Sequence, residues 1–116
     1  MTSQLHWKAL CTTEDLDALI LRSHEVPVAI FKHSTTCGIS AYAKHQLESD
    51  WSLGDDAVEM YYLDLHSYRP VSNLVAERLG VWHQSPQIIL LRAGKVVYHT
   101  SHSAISVRGL GQALAA

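Results

Sequence analysis

Blocks of apolar and polar residues follow one another along the chain in a pattern that predicts alternating strands and helices. Two short and largely apolar runs, 27–31 and 58–65, are typical of strands buried on both faces. Apolar residues then recur at helical spacing in 39–47 and in 71–79, which predicts an amphipathic helix after each strand. Two further runs flank Ala93 and Gly94, and this arrangement indicates a β-hairpin over 87–100.

Both ends of the chain extend this pattern. Thr12 and Thr13 precede Glu14 and Asp15, which is how an N-terminal helix begins, and residues 6–10 are predicted to add a short strand before it. Residues after Ser106 are predicted to form the last helix. The order predicts one α/β domain over residues 1–116, with a mixed central sheet covered by helices on both faces. This layout resembles a thioredoxin-like fold.

Composition and charge narrow the function classes. The chain has 116 residues and a formal net charge of −2 without a Lys/Arg run, which argues against nucleic acid as a partner. Acidic residues at 14, 15 and 17 stand where a signal peptide needs an apolar core, and no apolar stretch approaches the roughly 20 residues of a membrane span. We therefore expect a cytoplasmic protein with no membrane partner. Two cysteines are too few for a disulfide scaffold.

Cys37 is the residue that points to chemistry. It lies between a predicted buried strand and a predicted helix, where unpaired backbone N–H groups and the helix dipole favour a thiolate. The alternative is an inert, buried cysteine, which is the interpretation we adopt for Cys11. Ser40 occupies the position of the second cysteine in a Cys-x-x-Cys motif. Its hydroxyl can donate to the sulfur or cap a backbone group, but it cannot form a disulfide. Gly38 leaves a backbone N–H near the sulfur and loosens the first turn.

Other candidate residues carry weaker signals. The eight histidines are scattered without metal-site spacing, so the sequence predicts no metal site. Lys32 and His33, at the end of the strand before Cys37, are candidates for electrostatic support of the thiolate; the alternative is a solvated strand end. The tryptophans are predicted to be packing residues: Trp7, Trp51 and Trp82.

Three segments together resemble the bacilliredoxin family of the YtxJ type. They are Phe-Lys-His-Ser-Thr-Thr-Cys-Gly-Ile-Ser at 31–40, His-Gln-Ser-Pro-Gln at 83–87, and Ser101-His102. The resemblance implies a cytoplasmic, thioredoxin-like, monothiol protein that removes bacillithiol from mixed disulfides on S-thiolated client proteins. Such exchange requires no metal or organic cofactor, with bacillithiol as the thiol co-substrate and a small thiol or a partner reductase as the resetting reductant.

The same resemblance assigns roles to individual residues. It implies that Cys37 is the nucleophile and that Pro86 is a cis proline in the substrate groove. Ser40 is the second predicted catalytic residue, and the residues predicted to bind the substrate are Thr36, Gly38, Ser85 and Pro86. Gly38 departs from the family pattern, which has proline at this position.

Two other functions stay open at this point. Cys37-Gly38-Ile39-Ser40 differs by one substitution from the Cys-Gly-Phe-Ser of monothiol glutaredoxins, which hold a [2Fe–2S] cluster with a small-thiol co-ligand. Against that carrier role, the downstream Gly-Gly signature is missing, and Lys32 and His33 do not match that family. A binding module whose cysteine is incidental is the third hypothesis.

Overall fold

The computed structural model describes residues 4–54 and 56–116 of the chain. The strands are β1 (Trp7–Ala9), β2 (Val28–His33), β3 (Glu59–Asp64), β4 (Gln87–Arg92) and β5 (Lys95–Ser101). The helices are α1 (Thr13–Arg22), α2 (Gly38–Asp50), α3 (Arg69–Leu79) and α4 (Val107–Ala115), with a 3₁₀ turn at His102–Ala104. The predicted order of elements, including the short first strand, is confirmed.

The strands form one mixed sheet in the order β1-β3-β2-β4-β5. Strands β1, β3 and β2 are parallel, whereas β4 runs antiparallel to β2 and β5 antiparallel to β4. The carboxyl ends of β1, β2 and β3 therefore meet at one edge of the sheet. The loop that leads into β4 reaches the same edge, because Lys32 near the end of β2 pairs with Gln87 at the start of β4.

Side-chain alternation along β2 divides the core into two layers. Ala29 and Phe31 pack on one face in a cluster with residues of α2 and α4, and Val28 and Ile30 pack on the other face with residues of α1 and α3. Every residue of β2 is buried, as the uninterrupted apolar run predicts for a central strand covered on both faces.

Local signals at the ends of the elements are also confirmed. Thr12 caps α1 in a reciprocal capping box with Asp15. Gly80 ends α3 in the left-handed conformation, with φ of 67°. Ala93 and Gly94 both have positive φ, which is the geometry of a two-residue turn that matches the twist of the flanking strands.

The prediction that all three tryptophans are packing residues is wrong for Trp82. Trp51 is 5% exposed in the core and Trp7 contacts the rings of Phe31 and Tyr62, but Trp82 is 90% exposed. Trp82 lies in the loop between α3 and β4, where its backbone oxygen accepts a hydrogen bond from the Gln87 side chain at 3.0 Å. Its backbone is therefore anchored while its indole ring projects into solvent.

Candidate active site

Cys37 is the N-cap residue of α2 at the carboxyl edge of the sheet. Its backbone N–H donates to the Ser34 carbonyl at 3.2 Å, and its own carbonyl accepts from Ala41 N–H at 3.0 Å. The side chain is partly exposed and makes no capping hydrogen bond, and the first turn of α2 contains no acidic residue. Cys37 thus stands at the N-terminus of α2, where the first-turn N–H groups have no intrahelical acceptor and the helix dipole is positive.

Ser40 lies beneath this turn and is fully buried. Its Oγ accepts a hydrogen bond from Ser34 N–H at 3.0 Å and pairs with His33 Nδ1 at 2.7 Å. The hydroxyl is therefore engaged with the end of β2 and with a backbone group, and within the described residues no hydrogen bond joins it to the Cys37 sulfur. Of the two roles considered for Ser40, the contacts match the backbone cap.

His33 is a buried residue and not a solvated strand end, since only 6% of it is exposed. Its ring packs against those of Phe31 and Tyr62, with centroid distances of 5.8 and 5.4 Å. Burial and the nearby Lys44 charge lower the pKa of His33, against the opposing effects of Asp64, the Ser40 backbone and Glu48. A neutral imidazole therefore holds Ser40 at neutral pH.

His66 secures the outer side of the loop before Cys37. Its Nε2 lies 2.7 Å from Ser34 Oγ and 3.0 Å from Thr36 Oγ1. Sequence reasoning missed this residue because His66 is 30 residues away from Thr36 along the chain. The signal that could have found it was its place two residues after β3, because parallel neighbouring strands end at the same edge of a sheet.

The Ser85–Pro86 peptide bond is cis, as the resemblance implied. The Pro86 carbonyl accepts a hydrogen bond from His102 N–H at 3.0 Å, which joins the start of β4 to the turn after β5. Ser85 Oγ is a buried atom without a hydrogen-bond partner in the described residues. Of the predicted substrate residues, Gly38 begins α2, and the other three lie in the loops at the edge that carries Cys37: Thr36, Ser85 and Pro86.

Lys32 points to the opposite face of the sheet from His33 and is fully buried. Its Nζ donates to the Ser72 carbonyl at 3.0 Å and lies 3.3 Å from His83 Nδ1. Burial, followed by repulsion from Arg69, lowers the pKa of Lys32 to about 8. Burial and the charges of Lys32 and Arg69 lower the pKa of His83 in turn. Lys32 therefore contacts α3 and the loop before the cis peptide, not the Cys37 turn.

Cys11 is the second free thiol and lies after β1. Its N–H donates to Asp15 Oδ2 at 3.0 Å. A hydrogen bond with the Cys11 side chain raises the pKa of Tyr68 at the N-terminus of α3. Cys11 is half-buried, as Cys37 is, and not buried as expected, so its structural role stays a prediction.

The described residues offer neither a grouped set of metal ligands nor a membrane-spanning helix. Within residues 4–54 and 56–116, no three or more His, Cys, Asp or Glu side chains are grouped so that they could hold a metal ion. No helix in that same part of the chain is long and apolar enough to cross a membrane.

Solved structures identify the fold. A protein provisionally described as an oxidoreductase with a thioredoxin fold matches with 30% identity and a TM-score of 0.79, covering 92% of each chain. The thioredoxin Mala s 13 of Malassezia sympodialis matches with 14% identity and a TM-score of 0.73 over 99% of this chain and 93% of its own. Fasciola hepatica thioredoxin matches with 18% identity and a TM-score of 0.70 over 93% and 96%. The fold is that of thioredoxin.

A family model described as the monothiol bacilliredoxin BrxC matches residues 8–110. The match spans β1 through the first turn of α4 and includes Cys37, Ser40 and the Ser85–Pro86 peptide. The family is described as monothiol, and this chain has one cysteine in the motif, because Ser40 replaces the second cysteine of Cys-x-x-Cys. The chain therefore belongs to the monothiol bacilliredoxin family of thiol oxidoreductases.

Proposed function

We propose that this protein removes a low-molecular-weight thiol, bacillithiol in the first instance, from mixed disulfides on other proteins. The observation that carries the proposal is the pairing of one partly exposed cysteine at the start of α2 with a fully engaged serine in the second motif position. A thiolate at a helix N-terminus is the attacking group in thiol–disulfide exchange. The family's name supports bacillithiol as the thiol.

The reaction consists of two exchange steps. The Cys37 thiolate attacks the sulfur of the small thiol in the client mixed disulfide, forming a new S–S bond with Cys37 and expelling the client cysteine as a thiolate. That thiolate takes a proton from solvent. No net oxidation occurs in this step, because one disulfide replaces another. Metal and organic cofactors have no part in the proposed chemistry.

Resetting Cys37 needs a thiol from outside the motif. Ser40 has no sulfur with which to attack the adduct, so a second small thiol or a partner reductase attacks the Cys37 disulfide. A second small thiol releases free Cys37 and the disulfide of the two small thiols, whereas a dithiol reductase releases free Cys37 and the small thiol and is left with its own disulfide. The partners are thus S-thiolated client proteins and a thiol reductant, and the proposed location is the cytoplasm.

The residues around Cys37 have assigned roles in this proposal. Thr36, Gly38, Ser85 and Pro86 contact the substrate, with the backbone at 85 pairing with an extended client segment as an added strand. Ser40 fixes the Cys37 turn through its bonds to Ser34 and His33. Lys32 and His33 position other residues and do not contact the substrate. His33 holds Ser40 by a hydrogen bond, and Lys32 holds the loop before the cis peptide by its contact with His83.

Recovery of client thiol tests the proposal. A protein bearing bacillithiol on one cysteine is incubated with the wild type, C37S or C11S in the presence of a small-thiol reductant, and free client thiol is measured over time. We expect the wild type and C11S to restore the client at similar rates and C37S to fall to the uncatalysed rate. A C37S protein as active as the wild type would overturn the proposal, because the nucleophile would then lie elsewhere.

A further inference from the structure

An exposed tryptophan stands beside an open groove in the loop that leads into β4. Trp82 is 90% exposed and comes four residues before the cis proline, Pro86. The groove has a volume of about 480 Å³ and lies between α3 and this loop, with Trp82 in its wall. Tryptophan is among the residue types most enriched at the energetic centres of protein interfaces. The surface at Trp82 is therefore a candidate contact site for another protein.

The loop holds the backbone of Trp82 in place before any partner binds. The Trp82 carbonyl accepts a hydrogen bond from the buried Gln87 side chain at 3.0 Å, and the next residue, His83, lies 3.3 Å from the buried Lys32 amine. Gly80 turns the chain with φ of 67°, so that the loop lies beside α3. Because these contacts fix the backbone, a partner that binds the indole ring has less conformational freedom to remove.

The α3 wall of the groove is polar and acidic. Asn73 and Glu77 are exposed and four residues apart, so they lie on the same face of the helix. Glu77 forms no ion pair with any residue that the structure describes. His83 also lines the groove, and burial and two nearby cations lower its pKa, so that it is uncharged at neutral pH. The groove thus combines an aromatic ring with an unpaired carboxylate.

This combination is complementary to an organic cation. A guanidinium or ammonium group is attracted to the face of an aromatic ring, and most strongly to that of tryptophan. The same group forms charge-assisted hydrogen bonds with a carboxylate, and a guanidinium also stacks on the ring. Arginine and lysine side chains carry these groups, so the chemistry of the groove fits a basic residue of a partner protein.

The place of the groove identifies that partner. In the proposed function, an extended client segment pairs with the backbone at Ser85, three residues after Trp82. An extended chain advances about 3.3 Å per residue, so a client residue a few positions from the thiolated cysteine reaches the groove.

We infer that the groove between α3 and Trp82 binds an arginine or lysine side chain of the client. Trp82 supplies the aromatic face and Glu77 the opposite charge. The two residues thus favour clients with a positive charge near the thiolated cysteine. This inference rests on the proposed function and names the class of client that the protein recognises.

Exchange with a matched series of peptides tests the inference. Each peptide has one bacillithiolated cysteine, and arginine, glutamine or leucine is placed at one of the four positions on either side of it. The second-order rate constant for transfer of bacillithiol to Cys37 is measured for the wild type, W82A, W82F and E77Q. W82A keeps the backbone hydrogen bond from Gln87. E14Q is the control, because Glu14 is exposed on α1 and does not line the groove.

We expect the wild type to react about fivefold faster with the arginine peptide than with the glutamine peptide at one or two adjacent positions. This preference should disappear in W82A, weaken in W82F and E77Q, and persist in E14Q. The glutamine peptides should react with all five proteins at similar rates, because they leave the groove without a cation.

Equal rates for arginine and glutamine peptides at every position would overturn the inference. A faster rate for leucine than for arginine would also overturn it and would assign the groove to an apolar side chain. Loss of the arginine preference in E14Q would do the same, because the net charge of the protein and not the groove would then attract the peptide. Absence of transfer to wild-type Cys37 from every peptide would instead refute the proposed function.

Discussion

At the residue scale, the least expected feature is a fully buried lysine whose contacts within the described residues include no carboxylate. The Nζ of Lys32 is satisfied by the Ser72 carbonyl and His83, which are both uncharged acceptors when the histidine is neutral. A buried charge held in this way costs free energy at any pH where it stays protonated. We therefore interpret Lys32 as a residue that anchors the loop at His83 to β2, although its burial lowers the stability of the fold.

Substitution of Lys32 by methionine should reveal this cost through pH. The pKa of Lys32 is about 8 in the folded protein, against 10.5 for an ordinary exposed lysine. The unfolded chain therefore binds more protons between these values, so the Lys32 contribution to stability rises with pH in that window. We subtract the free energy of unfolding of K32M from that of the wild type at each pH. We expect this difference to be about 2 kcal/mol more favourable to the wild type at pH 9.5 than at pH 7.

Urea unfolding of both proteins at the two pH values measures this difference. K95M is the matched control, because Lys95 is exposed on β5 and its substitution removes the same charge from the surface. If the gap between wild type and K32M were constant from pH 7 to 9.5, Lys32 would titrate as an exposed lysine and the argument would fail.

Ser40 gives a second prediction at this scale. Removal of its hydroxyl leaves the buried Ser34 N–H and the His33 ring without their partners. We expect S40A to lose about 1–3 kcal/mol of unfolding free energy, the cost of unsatisfied buried groups. S52A is the control, because Ser52 is exposed, and it should stay within about 0.5 kcal/mol of wild type. Equal stability of S40A and S52A in chemical denaturation would contradict the role given to Ser40.

At the scale of elements, the start of α2 combines chemistry with a weakened helix. Glycine at the first helical position increases the freedom of the unfolded chain and leaves an N–H that an incoming group can contact. His66 and Ser40 compensate by fixing the preceding loop from its two sides. Hydrogen bonds thus hold the loop before Cys37 on both sides, whereas the backbone N–H of the residue after it has no intrahelical acceptor.

Thermal unfolding can separate a glycine that the backbone requires from one that it does not. G38P should raise the free energy of unfolding by about 0.4–1 kcal/mol, since proline suits this position and restricts the unfolded chain. G80A should lower it by about 1 kcal/mol, because Gly80 ends α3 with φ of 67°. A G38P protein less stable than the wild type would show that glycine at 38 serves the fold.

Much of the element layout could be predicted from the sequence because its signals are local. The apolar run of β2, the capping box at Thr12 and the hairpin turn at Ala93-Gly94 each depend on residues close together in the chain. The contacts of Lys32 could not be predicted, because its partners Ser72 and His83 come from other elements. The exposure of Trp82 was not predicted either, because the residues next to it in the sequence do not indicate whether a side chain in a loop points into the core or into solvent.

At the scale of the whole molecule, the sheet topology gathers the site from distant segments. Three parallel strands end at one edge, and the antiparallel β4 begins there. Cys37, His66 and the cis Ser85–Pro86 peptide therefore share an edge although they are far apart in sequence. The placement of the cysteine and the proline followed from recognised segments, but that of His66 required the three-dimensional order of the strands.

The most direct test of the central claim is the intact mass of the reduced protein after stoichiometric mixing with a bacillithiolated client, with a glutathionylated client in parallel. We predict that the mass of bacillithiol appears on this protein, that peptide mapping locates it on Cys37 and not on Cys11, and that the bacillithiol adduct transfers faster. No transfer from either client, with Cys37 still free to react with an alkylating reagent, would contradict the claim.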